Sequence, residues 1–180
     1  MSAKLAELEE RYIAELQNID ELALVVLKGH LLLEELLSQV IETFVFHAEL
    51  AESARLSFGQ KVSLARSMSL DESENSMWSV VSSINSLRND MAHAIDSPKR
   101  AAKLNAVREN YLREIAEHPR REELQGADDL TIVTLAVGLC LGFVHTFTEE
   151  VDRLKGFINT LDIVINPHRH NSDDGDERNT

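Results

Sequence analysis

The sequence predicts an all-α protein, an up-and-down bundle of five to six helices. Proline and glycine are scarce, three and seven among 180 residues, so long stretches run without a helix breaker. Aromatic residues make up only 5% of the chain while Leu and Ala abound, a balance that favours helix over sheet. Apolar residues also recur at helical spacing along most of the chain, with polar breaks between the periodic segments.

The first periodic segment covers 3–17, with Leu5, Leu8, Tyr12 and Leu16 three and four residues apart. Asp20 is a suitable N-cap for a second helix over 21–49, whose Leu and Val residues cover more than one face and place it centrally. A link over 51–57 leads to a third helix at 58–68, and the run LDESENS then interrupts the pattern. A fourth helix over 77–93 carries Trp78, Val81, Ile84, Leu87 and Met91 on one stripe. Pro98 disfavours helical geometry at Ser97 and suits the first turn of a fifth helix over 98–117. A polar loop over 119–127, with Gly126 as its turn residue, precedes a sixth helix that starts at Asp128 or Asp129 and runs to 165. One domain over 1–165 accounts for these elements. The remainder, 166–180, has little to bury and is expected to be a disordered acidic tail.

The net charge is −13, which argues against a chain that binds nucleic acid over its whole surface. The charge is unevenly spread. The first 52 residues hold eleven acids against three bases, whereas 97–121 holds seven bases against three acids. Arg55, Lys61 and Arg66 add a smaller basic element, so basic surface is expected around the fourth helix. The single cysteine, Cys140 in LAVGLCLGF, excludes an intrachain disulfide or a thiolate metal cluster and suits a buried thiol. The N-terminus has no apolar signal region, and the most apolar stretch, 130–144, is shorter than a bilayer span. A soluble, cytoplasmic protein without membrane contact is expected. No glycine-rich phosphate loop, nucleophile elbow or Cys/His cluster is found, so neither cofactor nor metal is expected.

The segment most suggestive of chemistry is SINSLRNDMAHAID, 83–96. Arg88 and His93 are five apart, so on a helix they point about 140 degrees away from each other. Asn89 and His93 are i and i+4 and share a face, which would let Asn89 orient the imidazole. Asp90 lies on the next face. His93 falls in the last helical turn, where the dipole stabilises positive charge. An acid/base histidine and a permanent guanidinium are the groups needed to cleave a phosphodiester without a metal. Lys99, Arg100 and Lys103 follow directly and are candidates, with Asp90 beside them, for contact with the substrate. On the second helix His30 and Glu34 are also i and i+4. The spacing could hold a metal, but no further ligand pair follows, and an inward hydrogen-bond network, or support for the Arg88–His93 site, is expected instead.

The run RNDMAH matches an Arg-x4-6-His motif near a helix end, with Asn after the Arg. Together with KGHLLLEELLSQVIE (28–42), ARLSFGQKVSLARSM (54–68) and the Trp78–His93 stripe, it resembles the HEPN superfamily over roughly 20–165. That resemblance implies a HEPN-like bundle and a homodimer in which the motif helices of two protomers meet at a shared site. It also implies metal-independent cleavage of RNA, leaving a 2′,3′-cyclic phosphate, in toxin–antitoxin, phage-defence or RNA-processing systems, with an antitoxin as a further partner. Ile95 departs from the Tyr that follows the motif in the toxin subgroup paired with a nucleotidyltransferase. The chain is also similar to the mannitol operon repressor family, which implies the alternative of a non-catalytic regulator or scaffold acting through protein partners.

Overall fold

The computed structural model describes residues 20–69, 76–93 and 97–170, together with Glu10 and Ile13. The expected helix over 3–17 and the tail from 171 lie outside the described residues. Within them, eight helices and no strands form the all-α bundle. These are α1 (Glu21–Phe44), α2 (Ala48–Ser53), α3 (Phe58–Ser67), α4 (Met77–His93), α5 (Arg100–Glu114), α6 (Arg121–Gln125), α7 (Asp129–Ile165) and α8 (Pro167–His170).

Local chemistry sets most of these limits. Asp20 caps α1 by accepting from the Ala23 amide at 2.9 Å, and Asp128 caps α7 by accepting from the Thr131 amide at 2.8 Å. Ser57 and Gln60 form a capping box at the start of α3, which satisfies two otherwise unpaired donors. The helix expected over 21–49 instead ends at Phe44, and Val45 is extended at φ −73°, ψ 152°. A tertiary contact meets the chain there: Lys155 of α7 donates to the Val45 carbonyl at 2.9 Å and lies 5.5 Å over the Phe46 ring. Part of the expected 51–57 link therefore forms α2. The expected loop over 119–127 contains α6, which buries Leu124, and α8 adds one turn where the tail was expected to begin.

α1 and α7 lie side by side in the same direction, since Gly29 meets Val137 and Val45 meets Lys155 sixteen and eighteen residues later. α4 runs against both, because Asn85 bonds His30 while Trp78 packs edge-on against Phe143 and Phe147. α5 returns beside α4, with Asn110 donating to the Ser79 carbonyl at 3.3 Å at one end and Ser97 donating to Asp90 at 2.7 Å at the other. His93 therefore sits toward the start of α1, at the opposite pole from the end of α7.

The core gathers Leu33 and Leu37 of α1, Ile84 and Leu87 of α4, Val107 of α5 and Ile132 of α7, none more than 1% exposed. Burying each such side chain contributes about 1.5–3 kcal/mol. At 37 residues α7 is longer than the 130–144 stretch suggested, and by length and composition it could cross a bilayer. Its row Val133, Val137, Cys140, Val144 and Phe147 is buried in the bundle. Burial pushes the Cys140 thiol up to about 12, with the Glu114 charge adding to it.

α1 and α7 approach closely only because position 29 lacks a side chain. A Cβ there would fall 2.5 and 2.9 Å from the two methyls of Val137, a β-branched residue with little rotameric freedom in a helix. Gly29→Ala is expected to destabilise the fold by about 1–3 kcal/mol through overpacking, despite the better helix propensity of Ala. Val137→Ala in the same chain should recover part of that loss in urea melts, giving a favourable coupling in the double-mutant cycle.

Candidate functional site around the motif helix

His30 is the polar group at the centre of the site. It is 3% exposed, and His30 and Ser83 are the buried polar residues among those described. α1 carries it into the bundle because it shares a face with Val26, Leu33 and Leu37. Its Nε2 lies 3.0 Å from Asn85 Oδ1 of α4, so Nε2–H donates to the amide carbonyl. The ring stacks on Phe58 of α3, with centroids 4.2 Å apart. The His30 pKa is lowered, first by burial; the Asn85 bond and the Glu34 carboxylate oppose this, while the Arg88 and Lys61 charges reinforce it. The imidazole is thus held neutral, and its buried Nδ1 has no hydrogen-bond partner among the described residues. Glu34 does not bond His30. It accepts from Lys61 of α3 at 3.0 Å, in a half-buried ion pair.

Arg88 is half-buried on the side of α4 that faces His30. Its Nη1 donates to Asn89 Oδ1 at 3.3 Å. Asn89 was expected to steady His93, but among the described residues its bond is to Arg88. His93 is exposed on the last turn of α4. Arg88 and His93 do not converge within one chain, as their five-residue spacing requires.

The basic candidates divide. Arg100 turns away to Asp20, the cap of α1, at 3.4 Å. Lys99 is exposed just before α5. Asp90 is engaged by the Ser97 hydroxyl. Lys103 alone of the three cations borders an open groove of about 410 Å³ between α3, α4 and α5, with Arg66 also on its lining. The serines of α4 that line this groove, Ser79, Ser82, Ser83 and Ser86, were missed as site residues. Their i, i+3, i+4, i+7 spacing was the available signal.

Among the described residues no group of three or more His, Cys, Asp or Glu is placed to hold a metal ion. Comparison with protein-family models, with curated proteins and with solved structures returned no match.

The His30–Asn85 bond makes a specific stability prediction. A histidine with a lowered folded-state pKa takes up its proton more readily when unfolded, so stability is fully present above the ordinary value of 6.5 and is lost as pH falls from 6.5 toward the folded-state value. The urea midpoint should therefore drop between pH 7 and pH 5, and more steeply than in His30→Gln. Asn85→Leu, which leaves the buried Nε2–H unpaired, should cost about 1–3 kcal/mol at neutral pH.

Proposed function

We propose that the chain is a HEPN-type, metal-independent endoribonuclease of the cytoplasm, active as a homodimer whose site is shared between two copies. The observation that supports this reading is the placement of Arg88 and His93. One helix end carries a half-buried guanidinium on one side and an exposed imidazole on the other, so a second copy facing the first would pair the Arg88 of one with the His93 of the other. Exposed Leu24, Leu27 and Leu31 lie on α1 within two turns of His30 and provide apolar surface for such a contact.

In this site His93 takes the proton of the RNA 2′-hydroxyl as the 2′-oxygen bonds to phosphorus. The phosphorus–5′-oxygen bond breaks, and the imidazolium returns the proton to the leaving 5′-oxygen. Arg88 of the facing copy stabilises the charge on the phosphoryl oxygens. The products are a 2′,3′-cyclic phosphate and a 5′-hydroxyl. His30, held neutral inside the bundle, positions α4 and takes no part in proton transfer.

A second reading, a non-catalytic regulator acting through protein partners, is favoured by the far end of α7. Past Lys155 the core stripe continues as Ile158, Leu161 and Ile165, which are 40%, 41% and 69% exposed. The two readings separate in a cleavage assay on mixed RNA in EDTA. The nuclease reading predicts cleavage by the wild type and a loss of at least about a hundredfold in His93→Ala, the usual scale of acid/base catalysis. Intact RNA with the wild type, or equal cleavage by both proteins, supports the regulator.

A further inference from the structure

We infer that the groove between α3, α4 and α5 is the binding track for the phosphodiester backbone of single-stranded RNA, leading along α4 to His93. The inference rests on the nuclease reading for its substrate class, and on the groove itself for its place and chemistry.

The track follows from the phase of α4. At about 100 degrees per residue, Ser79, Ser82 and Ser86 fall on one row, and the same row continues through Asn89 to His93. From Ser79 to His93 it runs about 21 Å, at about 1.5 Å per residue. Ser79 and Ser82 are exposed and Ser86 half-exposed. Ser83 beside them donates to the Val80 carbonyl at 2.7 Å and is turned inward. The opposite side of α4 carries Ile84 and Leu87, both fully buried. The row therefore presents hydroxyls where the helix meets solvent, and its last member is the proposed acid/base.

Cations border this row on both sides. Arg66, in the last turn of α3, and Lys103, in the first turns of α5, both line the groove. Asn110 lines it at the far end and is anchored to the Ser79 carbonyl. Hydroxyls, an amide and two cations along a concave strip suit a chain of phosphates. Here the basic stretch over 97–121 meets the smaller basic element at Arg66. It explains how a chain of net charge −13 could hold a polyanion: the contact is local.

A second observation points to a ligand. Trp78 lines the groove and is 2% exposed, yet its indole N–H has no acceptor among the described residues. A buried donor without a partner is uncommon and costs stability; a local shift that opens the groove floor to a ligand oxygen would relieve it. Because this ring is buried against Phe143 and Phe147, it offers no face for stacking bases. The groove should accordingly hold backbone with little base preference, unlike the stacking platforms of many single-strand binders.

The test is fluorescence anisotropy with a fluorescein-labelled oligouridine, its 2′-hydroxyls methylated to prevent cleavage, in EDTA at low and moderate salt. Wild-type protein should bind, and Arg66→Gln and Lys103→Gln should each weaken binding about tenfold at low salt and lower the salt slope by about 0.7. Ser82→Glu, which places a carboxylate in the row, should weaken it as much or more. Arg120→Gln, which removes an exposed cation paired with Glu123, should bind like the wild type. Melting curves matching the wild type show that the substitutions leave the fold intact. A mixed-sequence RNA of equal length should bind equally, and free inorganic phosphate should compete only weakly.

Failure of the wild type to bind, or wild-type affinity in both cation variants and Ser82→Glu, overturns the proposal. So does full competition by inorganic phosphate, which would mark a single-anion site. The two readings fail separately. Binding that follows the groove variants without any cleavage of unmethylated RNA keeps the track and removes the nuclease. Cleavage lost in His93→Ala but unchanged in the groove variants keeps the nuclease and removes the track.

Discussion

A half-buried hydrogen bond between His30 and Asn85 sets the geometry on which the candidate site depends. Its His30 end is buried among the apolar residues of α1, where a donor left without its acceptor costs about 1–3 kcal/mol. Turning α4 by one residue would rotate Asn85 by about 100 degrees and break the bond. The phase of the motif helix is thus tied to α1. With Asn85 facing His30, Arg88 falls to one side of the contact. His93 falls to the other, on the same row as the groove serines. The close packing of α1 on α7 at Gly29, one residue before His30, keeps this ring at a fixed depth.

That arrangement gives the molecule two distinct ends. Toward the start of α1, the structure gathers the end of α4, the Arg100–Asp20 ion pair and the first turns of α5. Toward the end of α7, past the Lys155–Val45 contact, the helix exposes apolar residues such as Ile158, Val164 and Ile165. The proposed chemistry on phosphates would use the first end, and the alternative of contact with another protein would use the second. A chain that is acidic overall can present local basic surface, because Arg66 and Lys103 border one groove beside α4.

Much of the fold could be read from the sequence, for identifiable reasons. α4 was expected over about 77–93, where it is found, since its stripe from Trp78 to Met91 is regular. The start of α7 followed from the capping chemistry of Asp128. The break after Phe44 was not foreseen, because nothing local stops a helix at VFH; in the fold Val45 there meets Lys155, 110 residues away. α6 was hidden for a related reason, its only apolar anchor being Leu124. Within the site, sequence spacing correctly kept Arg88 and His93 apart but joined the wrong partners. Asn89 shares a face with His93, yet the longer and more flexible Arg88 reaches it. His30 and Glu34 looked like a pair and are instead each claimed by another helix, through Asn85 and Lys61. Which side chain a helix neighbour finally bonds is settled by tertiary packing, and spacing alone does not carry that information.

The proposed shared site is tested most directly by mixing two variants, each expected to be inactive. Arg88→Gln and His93→Ala, each purified and then dissociated and reassociated together, should form mixed dimers in which one of the two composite sites is complete. Random reassociation gives mixed dimers in about half the population, each with one of its two sites intact, so RNA cleavage should return to about a quarter of the wild-type rate. No recovery on mixing, with mixed dimers demonstrated by differential tagging, would contradict a site built from two chains.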